Sequence, residues 1–324
     1  MDNKIWSYFI YLSNHMWDDE NTPPRALYEP QRYQEKNNVD VKVWDDIINF
    51  LQEKKFNTVV VDLGDGVRYE SHPEICAPDA WDKDFLKKKL DEMRAKGLEP
   101  IPKLNFSLNH SAWMKEYRRM GSTSYYYQFC SDIIREVCEL FDSPRLFHLG
   151  LDEEKVSTAT QKYREAIRVR GEALWWHDAY FIFKETEKYG ARPWMWADYF
   201  WDHPDVFAEK MPRSVLQSNW FYESFRESYN PGSNRPIMMG AYEKLDALGF
   251  DQVPCCSACE GVASCSDTIY QTMMHGKLKL HDDLVKGYLV VPWERTEDFA
   301  RYYLMDNAHR FHLARQKVYP ESLK

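Results

Sequence analysis

The chain has 324 residues, of which 44% are hydrophobic and 29% charged, with a formal net charge of −9. That length supports a large single core. Lys and Arg are scattered through an acidic chain, which argues against nucleic acid as a partner because phosphate binding needs a concentrated basic patch. No apolar run approaches the roughly 20 residues that cross a bilayer, so no membrane partner is expected.

In chain order, short aromatic or β-branched runs alternate with amphipathic stretches. The N-terminal segment, MDNKIWSYFIYLSNHMW, is too polar and aromatic for a signal peptide. The expected location is the cytoplasm, or outside the cell if a leader has been removed. The first run, 5–12, ends near Asn14 and His15. A helix follows over 43–55, where Val43, Ile47, Ile48 and Leu51 recur at helical spacing. The second run, 56–64, leads to Asp62 and Asp65, and a helix over 84–97 closes on Gly97. The third, 98–106, ends at Lys103 and Asn105, with His110 and Trp113 beyond, and a helix covers 125–141. The fourth, 145–152, ends in Asp152, Glu153 and Glu154, before a helix over 171–190. Runs at 192–200, 214–221, 251–258 and 287–294 complete the series, and a last helix spans 297–318.

Eight strands, each followed by helical pattern, are the signature of an α/β fold of one kind, a single (β/α)8 barrel over residues 1–324. A doubly wound sheet would carry a Gly-rich phosphate loop after an early strand, and none is present. The connections after strands 2 and 3 are long, and barrels build active sites from such loops.

The strand ends carry the chemistry. Phe147, Leu149 and Leu151 alternate with His148, Gly150 and Asp152, so one face of strand 4 is apolar and the other polar. Strand 5 contributes Trp196, Asp198 and Trp201, and strand 6 Asn219, Trp220 and Tyr222. Strand 7 leads to Glu260, and strand 8 supplies Trp293 and Glu294. Acids and indoles around one mouth suit a carbohydrate partner, since sugar C–H faces stack on aromatic rings and carboxylates accept hydroxyl hydrogen bonds. Two adjacent carboxylates repel each other, so one can keep its proton and act as general acid.

Blander readings stand beside these. A lone strand histidine such as His148 is commonly a satisfied core residue, Trp194 and Trp201 suit packing, and Glu154 suits solvent or a salt bridge. Seven cysteines, four of them crowded at 255, 256, 259 and 265, lack a second ligand pair at zinc spacing. They are expected to be small packed residues. No metal or other cofactor is expected.

His148-Leu149-Gly150-Leu151-Asp152-Glu153 resembles the His-x-Gly-x-Asp-Glu motif of glycoside hydrolase family 20, the β-N-acetylhexosaminidases. Weaker echoes are PWMWADYF at strand 5, LQSNW at strand 6 and VVPWE at strand 8. The resemblance implies a barrel with the motif on strand 4 and hydrolysis of terminal β-linked N-acetylhexosamine. The substrate's 2-acetamido oxygen would attack its own anomeric carbon, Glu153 would be the general acid/base, and Asp152 would orient the acetamido group. It further implies His148 as support for the pair, Trp196, Trp220 and Trp293 as pocket walls, and Glu294 as a hydroxyl ligand. Asn105, Asp198, Tyr222 and Glu260 complete the expected substrate-binding set. The family's usual Tyr after strand 7 is absent here, and Tyr222 is the available substitute; a smaller domain before the barrel is not expected. Three other readings compete: a retaining β-glycosidase with Glu153 as acid/base and Glu260 as nucleophile, a non-catalytic sugar-binding barrel, and a metal-dependent hydrolase using His15, His72, His110 or His148.

Overall fold

A computed structural model describes residues 4–17, 33–155, 168–223, 225, 234–258 and 268–323. Eight parallel strands form the barrel: β1 (Ile5–Tyr11), β2 (Thr58–Asp62), β3 (Glu99–Lys103), β4 (Leu146–His148), β5 (Arg192–Trp196), β6 (Leu216–Ser218), β7 (Cys255–Cys256) and β8 (Gly287–Val290). Their order is β6-β5-β4-β3-β2-β1-β8-β7. Parallel bridges Gln217–Gln252 and Trp220–Cys255 bring β6 and β7 together and close the ring. Each strand lies within one of the eight expected runs, and the single (β/α)8 barrel is the observed architecture.

Nine α-helices lie among the described residues: α1 (Val41–Glu53), α2 (Lys83–Ala95), α3 (Ser124–Leu140), α4 (Glu172–Glu187), α5 (Tyr199–Asp202), α6 (Pro204–Lys210), α7 (Arg235–Ala247), α8 (Thr268–Lys279) and α9 (Arg301–Val318). Their ends follow local chemistry. The Asp40 carboxylate accepts from the Lys42 and Val43 amides at the start of α1, and Asp82 caps α2 through Phe85 N–H. Gly97, at φ +75°, ends the turn after α2, where a side chain would strain the left-handed backbone. The α1 stripe of Val43, Trp44, Ile47, Ile48 and Leu51 is buried. None of the described helices is long and apolar enough to cross a membrane.

The barrel interior is not wholly apolar. The register pairs Asp62 with Lys103 and Lys103 with His148 across β2, β3 and β4. Lys103 Nζ lies 2.7 Å from Asp62 Oδ2. Burial nevertheless pushes the Asp62 carboxyl up to about 6, with Lys103 opposing the rise. Cys255 and Cys256 are buried free thiols on β7, whose burial pushes both up. Cys259 and Cys265 lie outside the described residues.

The long connections after β2 and β3 pack on one another over the barrel mouth. Lys115 Nζ reaches Asp65 at 3.1 Å, and Asp65 also holds His15 at 2.8 Å and Ser13 at 2.7 Å. This ties the segment after β1 to both loops.

Candidate active site

The site begins where β4 stops. Strand geometry ends at His148 because the backbone turns left-handed: φ is +66° at Gly150, +66° at Leu151 and +52° at Glu153. Such angles cost about 1–3 kcal/mol at a non-glycine residue and persist only where neighbours enforce them. Asn105 is the first enforcer. Its Oδ1 accepts from Leu151 N–H at 3.2 Å and Ser107 N–H at 3.1 Å, while its Nδ2 donates to Asp152 Oδ1 at 2.8 Å. It passes so close to Gly150 that a Cβ there would fall 2.2 Å from Asn105 Oδ1. The glycine of the His-x-Gly-x-Asp-Glu run is therefore required twice, by its φ and by this approach.

Past the bend, Asp152 lies deep, at 8% exposure, and Glu153 stands above it with its side chain 28% exposed. His110, on the short 3-10 turn Leu108–His110 after β3, turns its Nε2 toward both. It is 3.2 Å from Glu153 Oε2 and 3.4 Å from Asp152 Oδ2. A buried acid, a more accessible acid and an imidazole thus meet at one strand end. These three form the one group of His, Cys, Asp or Glu side chains, among the described residues, arranged closely enough to hold a metal ion. A hydrogen bond between His110 Nε2 and the Glu153 carboxylate, with Asp152 nearby, accounts for the same contacts without a metal.

Asp198, just after β5, is buried, and its Oδ2 accepts from Glu153 N–H at 2.8 Å. Burial, reinforced by the charge of Asp152, pushes its carboxyl up to about 8. Glu154 turns the other way. Its side chain, 1% exposed, accepts from Leu108 N–H at 3.0 Å and pairs with Arg170, which continues to Asp178 on α4 at 3.0 Å. Of the two settings expected for Glu154, the observed one is a salt bridge, and a buried one.

An aromatic chain runs beside the acids. Trp17 lies edge-on to His110 at 6.2 Å and to Trp293 at 6.0 Å. Trp293 continues to Trp196 at 6.0 Å and Tyr222 at 6.1 Å, and Tyr222 stacks on Trp220 at 5.4 Å. Trp220, Tyr222 and Trp293 keep some exposure, whereas Trp196 is 1% exposed and forms the layer beneath them. The Tyr222 hydroxyl lies 3.4 Å from Cys255 Sγ, so a tyrosine from the connection after β6 reaches β7.

The expected residues therefore fall into groups. Asn105, Asp152, Glu153 and Asp198 are joined by hydrogen bonds, and Trp196, Trp220, Tyr222 and Trp293 by ring contacts. His148 lies lower, fully buried between Trp194 at 5.0 Å and Trp196 at 4.4 Å. Its Nδ1 accepts from Gly150 N–H at 3.2 Å, and burial holds its pKa well below the usual imidazole value. It packs under the bend as a neutral ring. Glu294 accepts from the Arg295 amide at 2.9 Å and is half-buried. Glu260 lies outside the described residues. Three further residues come to the site: His110, expected only as a loop residue and a possible metal ligand, and Asn109 and Trp17, for which the sequence raises no expectation. Their one signal is position, in the connections after β1 and β3.

No family model matches the chain, and no curated protein matches it by sequence. Solved structures do match in fold. A glycoside hydrolase family 20 exo-β-N-acetylglucosaminidase from Vibrio harveyi superposes with a TM-score of 0.63 at 14% identity, covering 99% of this chain and 57% of that one. The β-N-acetylhexosaminidase from Bacteroides fragilis gives 0.62 at 13% identity, over 98% and 71% of the two chains. Dispersin B gives 0.61 at 14% identity, over 85% and 94%. The chain thus spans little more than half the length of the Vibrio harveyi enzyme. At these identities the likeness is one of fold: the protein shares its barrel with family 20 hexosaminidases.

Proposed function

We propose that this protein is a glycoside hydrolase that removes terminal β-linked N-acetylhexosamine by substrate-assisted retaining catalysis. The observation that carries the reading is the Asp152–Glu153–His110 group at the end of β4, beside the partly exposed rings of Trp220, Tyr222 and Trp293. The family 20 fold likeness is consistent with it.

In this reading a sugar ring lies against the indoles with its glycosidic oxygen toward Glu153. The 2-acetamido oxygen attacks the anomeric carbon as Glu153 gives its proton to the leaving oxygen, and an oxazolinium intermediate forms. Asp152, fixed by Asn105, faces the acetamido nitrogen and stabilises its developing positive charge. Glu153, now ionised, takes a proton from water, which opens the ring with net retention. His110 steadies both carboxylates through the cycle. Tyr222 borders the acetamido side as the available hydroxyl donor.

The test is a panel of chromogenic β-glycosides with and without the 2-acetamido group. Cleavage of the acetamido substrates alone is expected. Activity confined to plain glucosides or galactosides would overturn the substrate-assisted route and leave Glu260 as the nucleophile to examine. Sugar binding without turnover would point to a binding barrel.

A further inference from the structure

We propose that Asp198 and Asn109 are positioning residues that grip the Glu153 peptide from opposite sides and hold its carboxyl over the cleft. The inference rests on the reading of Glu153 as the proton donor, and it adds residues that touch no reacting atom.

The geometry is that of a two-sided clamp. On one side the Glu153 N–H donates to Asp198 Oδ2 at 2.8 Å, from the loop after β5. On the other, the Asn109 side-chain amide donates to the Glu153 carbonyl, from the turn after β3. Lys155 N–H shares that carbonyl at 2.8 Å. Strands β3 and β5 are the two neighbours of β4 in the barrel, so the clamp reaches Glu153 from both flanks. The residue it grips has φ +52°, which a glutamate does not hold unaided. Relaxation to an ordinary φ would swing the side chain away from His110 and the cleft.

Asp198 suits the task chemically. It is 4% exposed, and its second oxygen has no hydrogen-bond partner among the described residues. Burial, reinforced by the charge of Asp152, pushes its carboxyl up to about 8 and so favours its neutral form. It can accept the amide hydrogen without placing another negative charge beside Asp152 and Glu153. An asparagine would keep the neutral acceptor, and an alanine would remove it.

The experiment compares Asp198→Ala, Asp198→Asn and Asn109→Ala with the wild type on aryl N-acetyl-β-glucosaminides of poor and activated leaving groups. Misplacing a general acid by about 1 Å costs on the order of 10²-fold. Asp198→Ala should therefore lose about 10²-fold in kcat on the poor leaving group and far less on the activated one, with KM nearly unchanged. Asp198→Asn should recover most of that loss, and Asn109→Ala should show the same leaving-group dependence more weakly. Equal losses on both leaving groups, or no rescue by asparagine, would overturn the clamp. A crystal structure of Asp198→Ala gives a readout independent of turnover. The clamp requires Glu153 to leave positive φ, and an unchanged Glu153 backbone would refute it. A wild type inactive on every glycoside would sink the hydrolase reading while this structural outcome still decides the clamp.

Discussion

The His110 imidazole meets the Glu153 carboxylate at 3.2 Å and lies 3.4 Å from Asp152, so one ring faces both acids of the candidate pair. Hydrogen bonds to charged groups contribute about 1.5–3 kcal/mol. If this contact supports the transition state, His110→Ala should slow hydrolysis roughly 10- to 150-fold. Steady-state kinetics on an acetamido substrate check this. An unchanged rate would make the imidazole a packing residue.

Glu153→Gln keeps the size of the side chain and removes its proton. Hydrolysis with a poor leaving group should fall by about 10²-fold or more, the usual scale for a general acid. Asp152→Asn should penalise acetamido substrates in particular. A wild-type rate in Glu153→Gln, or a uniform loss across all sugars in Asp152→Asn, would contradict the assigned roles.

Gly150→Ala tests how the site is built. A Cβ would press on Asn105 at 2.2 Å and sit on a backbone at φ +66°. Denaturant unfolding should show a loss of at least about 2 kcal/mol, in the range of strained or overpacked substitutions. An alanine variant as stable as the wild type would mean that the bend is not held as described.

Asp198 sets a pH dependence. Its carboxyl is raised in the folded state to about 8, against an ordinary value of 3.8. A raised folded pKa means that the native state holds a proton the unfolded chain has released. The stability it contributes is full below about pH 4 and declines as pH rises toward 8. Asp62, raised to about 6, adds a smaller decline over the lower part of that window. Asp198→Asn should flatten the slope, so its stability relative to wild type should improve from pH 5 to pH 8. Denaturation midpoints across that range measure it; parallel curves would show that Asp198 does not titrate there.

Dialysis against a chelator separates the proposed mechanism from a metal-dependent one. His110, Asp152 and Glu153 can surround a cation, yet the proposed chemistry uses them for protons. Activity should survive the treatment unchanged. Loss restored by a divalent ion would favour the metal reading.

The strands and five of the helices were legible because they rest on local signals. Examples are the hydrophobic stripe of α1 and Gly97 at the end of the α2 turn. Asp152 and Glu153 stood out because adjacent acids at a strand end are unusual. Asn109 and Trp17 were not legible as site residues, and His110 only as a possible metal ligand, since the contacts that bring them to the site span distant sequence. The same holds for His148. Its place in the motif suggested support for the pair, but only the packing of Trp194 and Trp196 puts it beneath the bend. Asp198 reads in sequence as another mouth acid, and its hold on the Glu153 amide emerges only when β5 lies beside β4.

In the proposed mechanism the substrate's own amide oxygen attacks. Fluorine on the acetamido methyl withdraws electron density from that oxygen and changes little else. The measurement is kcat/KM for aryl β-glucosaminides bearing N-acetyl, N-fluoroacetyl, N-difluoroacetyl and N-trifluoroacetyl groups. A steep, progressive fall along the series is expected. A flat series would contradict it and assign the attack to a carboxylate of the protein.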